Sequence, residues 1–200
     1  SKVSVAYFSF SNKGIQRKFC ELSSKGVQIR VFLDNGSAGQ IDEQVMNNPA
    51  CRDSEGKLNV RLSYLGGNTT AGSGGIWQLH HNKFMMIETP NNKVRLNFSS
   101  GNLSSFGTSL HLDHWVMTKA PASSNLIRAH KCVMRGLEAA SEKAKEDEVG
   151  GKVIGQSYIA EREKCFDEQN VIPRQNLADT NAQIASALEA EEIAPLYSPN

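Results

Sequence analysis

The chain has no apolar run approaching the roughly 18 residues that a membrane-crossing helix needs, so no segment reads as a transmembrane span. It has no Cys-x-x-Cys pair: Cys20, Cys51, Cys132 and Cys165 are scattered, which argues against a zinc ribbon or a thioredoxin-type site. It carries almost no net charge, +1 from 22 basic and 21 acidic residues, and no basic run. That balance argues neither for nor against nucleic acid, because a local basic groove can coexist with a neutral total. No signal peptide is recognisable, yet Ser1 is not an initiator Met and the chain opens inside a strand pattern, so a removed leader and the compartment, cytoplasmic or secreted, stay open. What remains is an ordinary soluble composition, 39% hydrophobic and 22% charged over 200 residues, enough for one domain with a real core.

Strand and helix patterns alternate. Strands are expected near 3–10, 27–34, 58–65, 79–88, 93–101 and 111–119, and helices near 12–25, 38–48 and 123–147. The opening alternation predicts a parallel βαβ unit, and the turn material Thr89-Pro90-Asn91-Asn92 predicts an antiparallel hairpin. The fold class is therefore α/β, a mixed sheet with helices on both faces. Leu126, Ile127, His130, Val133, Met134, Leu137 and Ala140 repeat at three and four, a stripe that docks the long helix and makes His130 a packed or capping histidine. The charge-alternating stretch from Glu138 to Glu148 is its solvated end. Cys20 and Cys132 sit in helical patterns and read as small apolar packing, and whether Cys51 and Cys165 form a disulfide in an oxidising compartment stays open. Residues 1–150 read as the domain and 151–200 as a C-terminal extension or linker.

The densest chemistry is His81-Asn82-Lys83, then Glu88 after four residues, then Ser99-Ser100-Gly101-Asn102. On a strand, successive side chains alternate, so His81 and Lys83 point the same way and can share one anion, while Glu88 has the opposite parity and should not line the pocket. An imidazole can attack phosphorus to give a phosphohistidine while an ammonium and a carboxamide N–H hold the charge on the non-bridging oxygens. This is phosphodiester chemistry without a metal or other cofactor.

These residues resemble the phospholipase D superfamily, whose motif runs His-x-Lys, four residues, Asp, about six residues, Gly-Ser-x-Asn. His81, Lys83 and Asn102 fall on the functional positions and Ser100 and Ser104 on the two serines; Glu88 stands where the family has Asp, Ser99 where it has Gly, and the span between is longer. The opening, Val3 to Phe10, a helix carrying Ile15, Phe19 and Leu22, and Gly26 to Asp34, is similar to the start of such domains. The stretch His111 to Met117 resembles the strand bearing an acidic residue that hydrogen-bonds the catalytic imidazole, which would be Asp113 fixing the tautomer of His81. The resemblance covers about residues 2 to 145 and implies a phospholipase D-like fold and a metal-independent phosphodiesterase or phosphatidyltransferase.

The family's site uses two histidines, nucleophile and general acid, and this chain supplies one motif. A homodimer mate or a second half of the same polypeptide must give the other. The polar stretch Gln169 to Glu192 looks like a connector, and Ile193 to Asn200 like the lead-in to another repeat. The glycine-rich Gly66 to Gly75 reads as a loop, either a lip over the phosphate site or a plain surface connection, and Trp77 as a core residue or a stacking platform. Two rival readings remain: a metallohydrolase built on His80, His81, His111, Asp113 and His114, and a catalytically silent binding module. Phospholipid, nucleic acid and nucleotide-linked diesters present the same phosphorus, so the site alone does not choose among them. The expected activity is that of a phospholipase or phosphatidyltransferase, with a homodimeric nuclease as the alternative.

Overall fold

The structure is a computed structural model that describes residues 1–65, 80–104, 113–146 and 151–171. The glycine-rich stretch, Trp77, His111 and the segment from 172 onward lie outside the described residues. Six strands, β1 (Lys2–Tyr7), β2 (Gln28–Asp34), β3 (Val60–Leu65), β4 (Lys83–Glu88), β5 (Lys93–Ser99) and β6 (Trp115–Pro121), form one sheet in the order β3-β2-β1-β4-β5-β6. β1, β2 and β3 run parallel, and β4, β5 and β6 follow antiparallel from β1, so the sheet is mixed as expected. The central strands β1 and β2 are buried on both faces, which is why they read as nearly continuous apolar runs.

Helix α1 (Lys13–Ser24) begins where the Asn12 side chain accepts the Ile15 N–H at 3.1 Å. It covers Val3, Val5, Tyr7, Ile29, Val31 and Leu33 on one face of β1–β2. Helix α2 (Asn125–Lys143), capped by Ser124, covers the other face. Leu126, Ile127, Val133, Met134, Leu137 and Ala140 are all buried there, and His130 packs edge-on to Phe84 with Nδ1 2.8 Å from the Leu126 carbonyl. Burial pushes His130 down to about 4, the behaviour of a core histidine. Residues 151–168 form a further helix, α3 (Gly151–Glu168), lying on α2. A Cβ at Gly136 would stand 2.8 Å from Tyr158, so the two helices meet at a distance only glycine permits.

Two expectations are corrected. The segment expected as a helix over 38–48 is one π-helical turn, Asp42–Met46, between 3-10 turns at Asn35–Ser37 and Pro49–Cys51. Asp34 and Asn48 each accept the N–H two residues on, at 2.9 and 3.0 Å, and these side-chain turns compete with a regular helix. The cysteine pairing also differs: Cys20 is joined to Cys51 and Cys132 to Cys165. α1 and the turn at Cys51 pack on the same sheet face, and α2 and α3 on each other, so each cysteine meets the one on its own layer.

Candidate active site

His81 lies in the irregular stretch just before β4, and Lys83 is the first residue of that strand. The parity argument still holds through space: Lys83 Nζ is 3.1 Å from His81 Nδ1 and 2.9 Å from Nε2. Burial and the neighbouring Lys83 charge lower the His81 pKa, which favours the neutral imidazole a nucleophile must be. Burial also lowers Lys83, and the Asp113 carboxylate acts against that shift. Phe8, half-buried beyond β1, stands beside both, its ring 5.2 Å from the imidazole and 5.9 Å from the ammonium.

Each contributor comes from the same end of the sheet. The C-terminal ends of β1, β2 and β5 and the N-terminal ends of β4 and β6 meet there, bringing together Phe8, Asp34, Ser99 to Asn102, His81 with Lys83, and Asp113. Asp34 is buried and accepts two backbone N–H groups, Gly36 at 2.9 Å and His80 at 2.9 Å, so it ties the end of β2 to the peptide that precedes His81. His80 itself turns inward, with Nδ1 3.3 Å from the Asn82 carboxamide, and burial pushes it down to about 4.

The second half of the motif is equally tied down. Ser100 N–H donates to the His114 carbonyl at 3.1 Å, and the Ser100 hydroxyl donates to Asp113 Oδ1 at 3.1 Å while accepting the His114 N–H at 2.9 Å. Asp113 therefore bonds Ser100 and makes no hydrogen bond to His81, which departs from the contact implied by the resemblance. Its Oδ2 is buried with no hydrogen-bond partner among the described residues, as is Asn102 Oδ1. A Cβ at Gly101 would lie 2.4 Å from Asp113 Oδ2, so glycine is what lets the carboxylate sit there. Ser99 is accommodated by its own bonds, donating to the Gly101 carbonyl at 2.7 Å and meeting the buried Tyr7 hydroxyl at 3.4 Å. Ser104 is half-buried on the loop that Leu103 anchors by accepting the Ser11 and Asn12 N–H groups at 3.1 and 2.9 Å.

Glu88 ends β4 far from this cluster and pairs with Lys131 of α2 at 2.7 Å. Among the described residues no three His, Cys, Asp or Glu side chains converge to hold a metal ion. Sequence reasoning did not single out Phe8 or Asp34 as parts of the site. Asp34 had a signal in its place at the end of a buried strand, since a carboxylate there must find donors; Phe8 had none.

No curated protein matches the chain in sequence. Among solved structures it is similar to NucT from Helicobacter pylori, with 19% identity, 68% of this chain and 78% of that chain covered, and a TM-score of 0.47. It is also similar to yeast tyrosyl-DNA phosphodiesterase, with 15% identity over 80% of this chain and 34% of that one, and a TM-score of 0.41. Residues 1–131 match the family described as "Cardiolipin synthase, PLD-like domain", and with well over half of its length inside that match the chain belongs to this family of PLD-like domains.

Proposed function

We propose that the chain cleaves phosphodiesters through a covalent intermediate on His81, and that the site is completed by a second motif outside this chain. The observation that carries the reading is the Lys83 ammonium held within 3.1 Å of both nitrogens of an imidazole whose pKa is lowered. In the first half-reaction an imidazole nitrogen bonds to phosphorus and the bond to the leaving oxygen breaks, that oxygen taking a proton from an acid on the far side. In the second, water attacks phosphorus, gives its proton back to the same group, and the N–P bond breaks. Lys83 and the Asn102 carboxamide hold the non-bridging oxygens, with Ser100 and Ser104 beside them, and the Asp113 carboxylate opposes the lowering of Lys83 by burial.

Attack and departure are roughly in line, so the acid must come from the opposite side of the phosphorus from His81. That supports a homodimer mate or a second half as its source. Hydrolysis of phosphatidylcholine vesicles, single-stranded DNA and bis(p-nitrophenyl) phosphate, each with excess chelator, tests the reaction. Turnover of the small diester that persists in chelator is expected; complete loss restored by zinc would overturn it. Light scattering alongside separates the assemblies: a dimer that turns over, or a monomer inactive until a second half is added, fits the reading. A monomer active by itself refutes the two-histidine step.

A further inference from the structure

The face of the sheet that α1 covers over β1–β3 continues, without a covering helix among the described residues, across β4, β5 and β6. Its rows follow from the strand register: Tyr7, Lys83, then Ser99 and Trp115; Val5, Met85, Asn97 and Met117; Val3, Ile87, Arg95 and Lys119. Lys93 extends it at the far end opposite Pro121. Met117 is 80% exposed, and Lys93, Arg95 and Lys119 are exposed as well. Arg95 and Lys119 stand directly opposite across β5–β6, a like-charge pair that costs stability in an isolated sheet.

None of these three cations pairs with a described carboxylate, although ion pairs are plentiful on α1, α2 and α3. The only acidic residues in the six strands, Asp34 and Glu88, point to the opposite face, where Glu88 meets Lys131 of α2. Lys83 heads the same face as the cations and lies about 14 Å along it from the Arg95 row, four residues at strand spacing. A single diester headgroup cannot touch both; a chain of linked phosphates can. A lipid surface calls for an apolar rim, and on this face Met117 is the only large apolar side chain that stands well out among the described residues.

We propose that this open face is a track for single-stranded nucleic acid, its phosphates on Lys93, Arg95 and Lys119, its bases against Met117 and Trp115, and the scissile phosphate at His81 and Lys83. Cations interleaved with apolar and aromatic side chains are the pattern such a strand takes. Asn97 adds a carboxamide N–H₂, because its Oδ1 is already occupied by the Tyr7 hydroxyl at 3.0 Å. The proposal rests on the phosphodiesterase reading of the same site and names its substrate class.

The test compares Arg95→Ala/Lys119→Ala with a control, Lys13→Ala/Arg17→Ala, that removes two exposed charges from α1. Affinity for a fluorescent oligothymidylate is read by anisotropy over a salt series in the His81→Ala background, and turnover of bis(p-nitrophenyl) phosphate in the His81 protein. The track variant should bind about tenfold more weakly, with a slope of log K against log salt shallower by about 1.4, the value for two lost phosphate contacts on a single strand. The control should bind like the parent. Unchanged affinity and slope overturn the proposal. So does a loss seen only with phosphatidylglycerol vesicles, or a halved mass in light scattering with oligonucleotide affinity intact, which would give the face to lipid or to a second copy. If the small diester is not turned over at all while the track variant still weakens oligonucleotide binding, the catalytic reading fails and the track stands.

Discussion

At the scale of single residues the site is a set of close approaches, and the variants that test it must separate chemistry from folding. His81 is exposed and outside any strand, so His81→Ala opens no core cavity. It should abolish turnover and leave the melting temperature within about a degree of the parent, since surface substitutions usually change stability by less than about 0.5 kcal/mol. His80 is the internal comparison: it is buried, so its replacement should lower the melting temperature as well. Loss of turnover in His80→Ala with retention in His81→Ala would mean that the nucleophile has been misassigned. Gly101→Ala probes Asp113 without touching it, because the added methyl would lie 2.4 Å from Oδ2 and push the carboxylate away. Turnover should fall by about one to two orders of magnitude, the usual scale for a displaced group that supports a reacting one. An unchanged rate would remove Asp113 from the mechanism.

At the scale of elements, the two disulfides decide which pieces stay attached to the sheet. Cys20–Cys51 holds the irregular segment after β2 to α1, and Cys132–Cys165 holds α3 to α2, with sequence separations of 31 and 33. Loops of that size give about 3–4 kcal/mol each in the chain-entropy account. Arg135 of α2 adds ion pairs to Glu161 and Glu168 of α3, both partly solvated and so worth little beside the covalent link. Reduction with dithiothreitol should therefore lower the melting temperature by several degrees, and a non-reduced digest should yield Cys20–Cys51 and Cys132–Cys165 peptides. A Cys51–Cys165 peptide would contradict the layer assignment.

At the scale of the whole molecule, two buried histidines link stability to pH. Burial pushes both His80 and His130 from an ordinary 6.5 down to about 4. The unfolded chain therefore binds more protons than the folded one between those values, and stability is whole above pH 6.5 and falls as pH drops towards 4. Thermal melts from pH 8 to 4 should show that decline, and His130→Gln, which cannot titrate, should flatten part of it. A melting temperature that stays level down to pH 4 would mean that these histidines are not held neutral.

The amino-acid sequence by itself determined what depends on spacing along one strand or helix. Strand alternation put His81 and Lys83 on one side and Glu88 on the other, even though β4 begins only at Lys83. The three-and-four repeat from Leu126 to Ala140 made α2, because a helix presents those positions to one face. Tertiary structure decided what depends on distances between segments remote in the chain. Cysteine pairing follows the layer on which each helix or turn packs, which local pattern does not encode. Asp113 went to Ser100 because β5 and β6 pair with Ser99 opposite Trp115. Asp34 reached the His80 N–H, 46 residues on, because β2 and β4 flank β1 and β2 ends where β4 begins, at one end of the sheet.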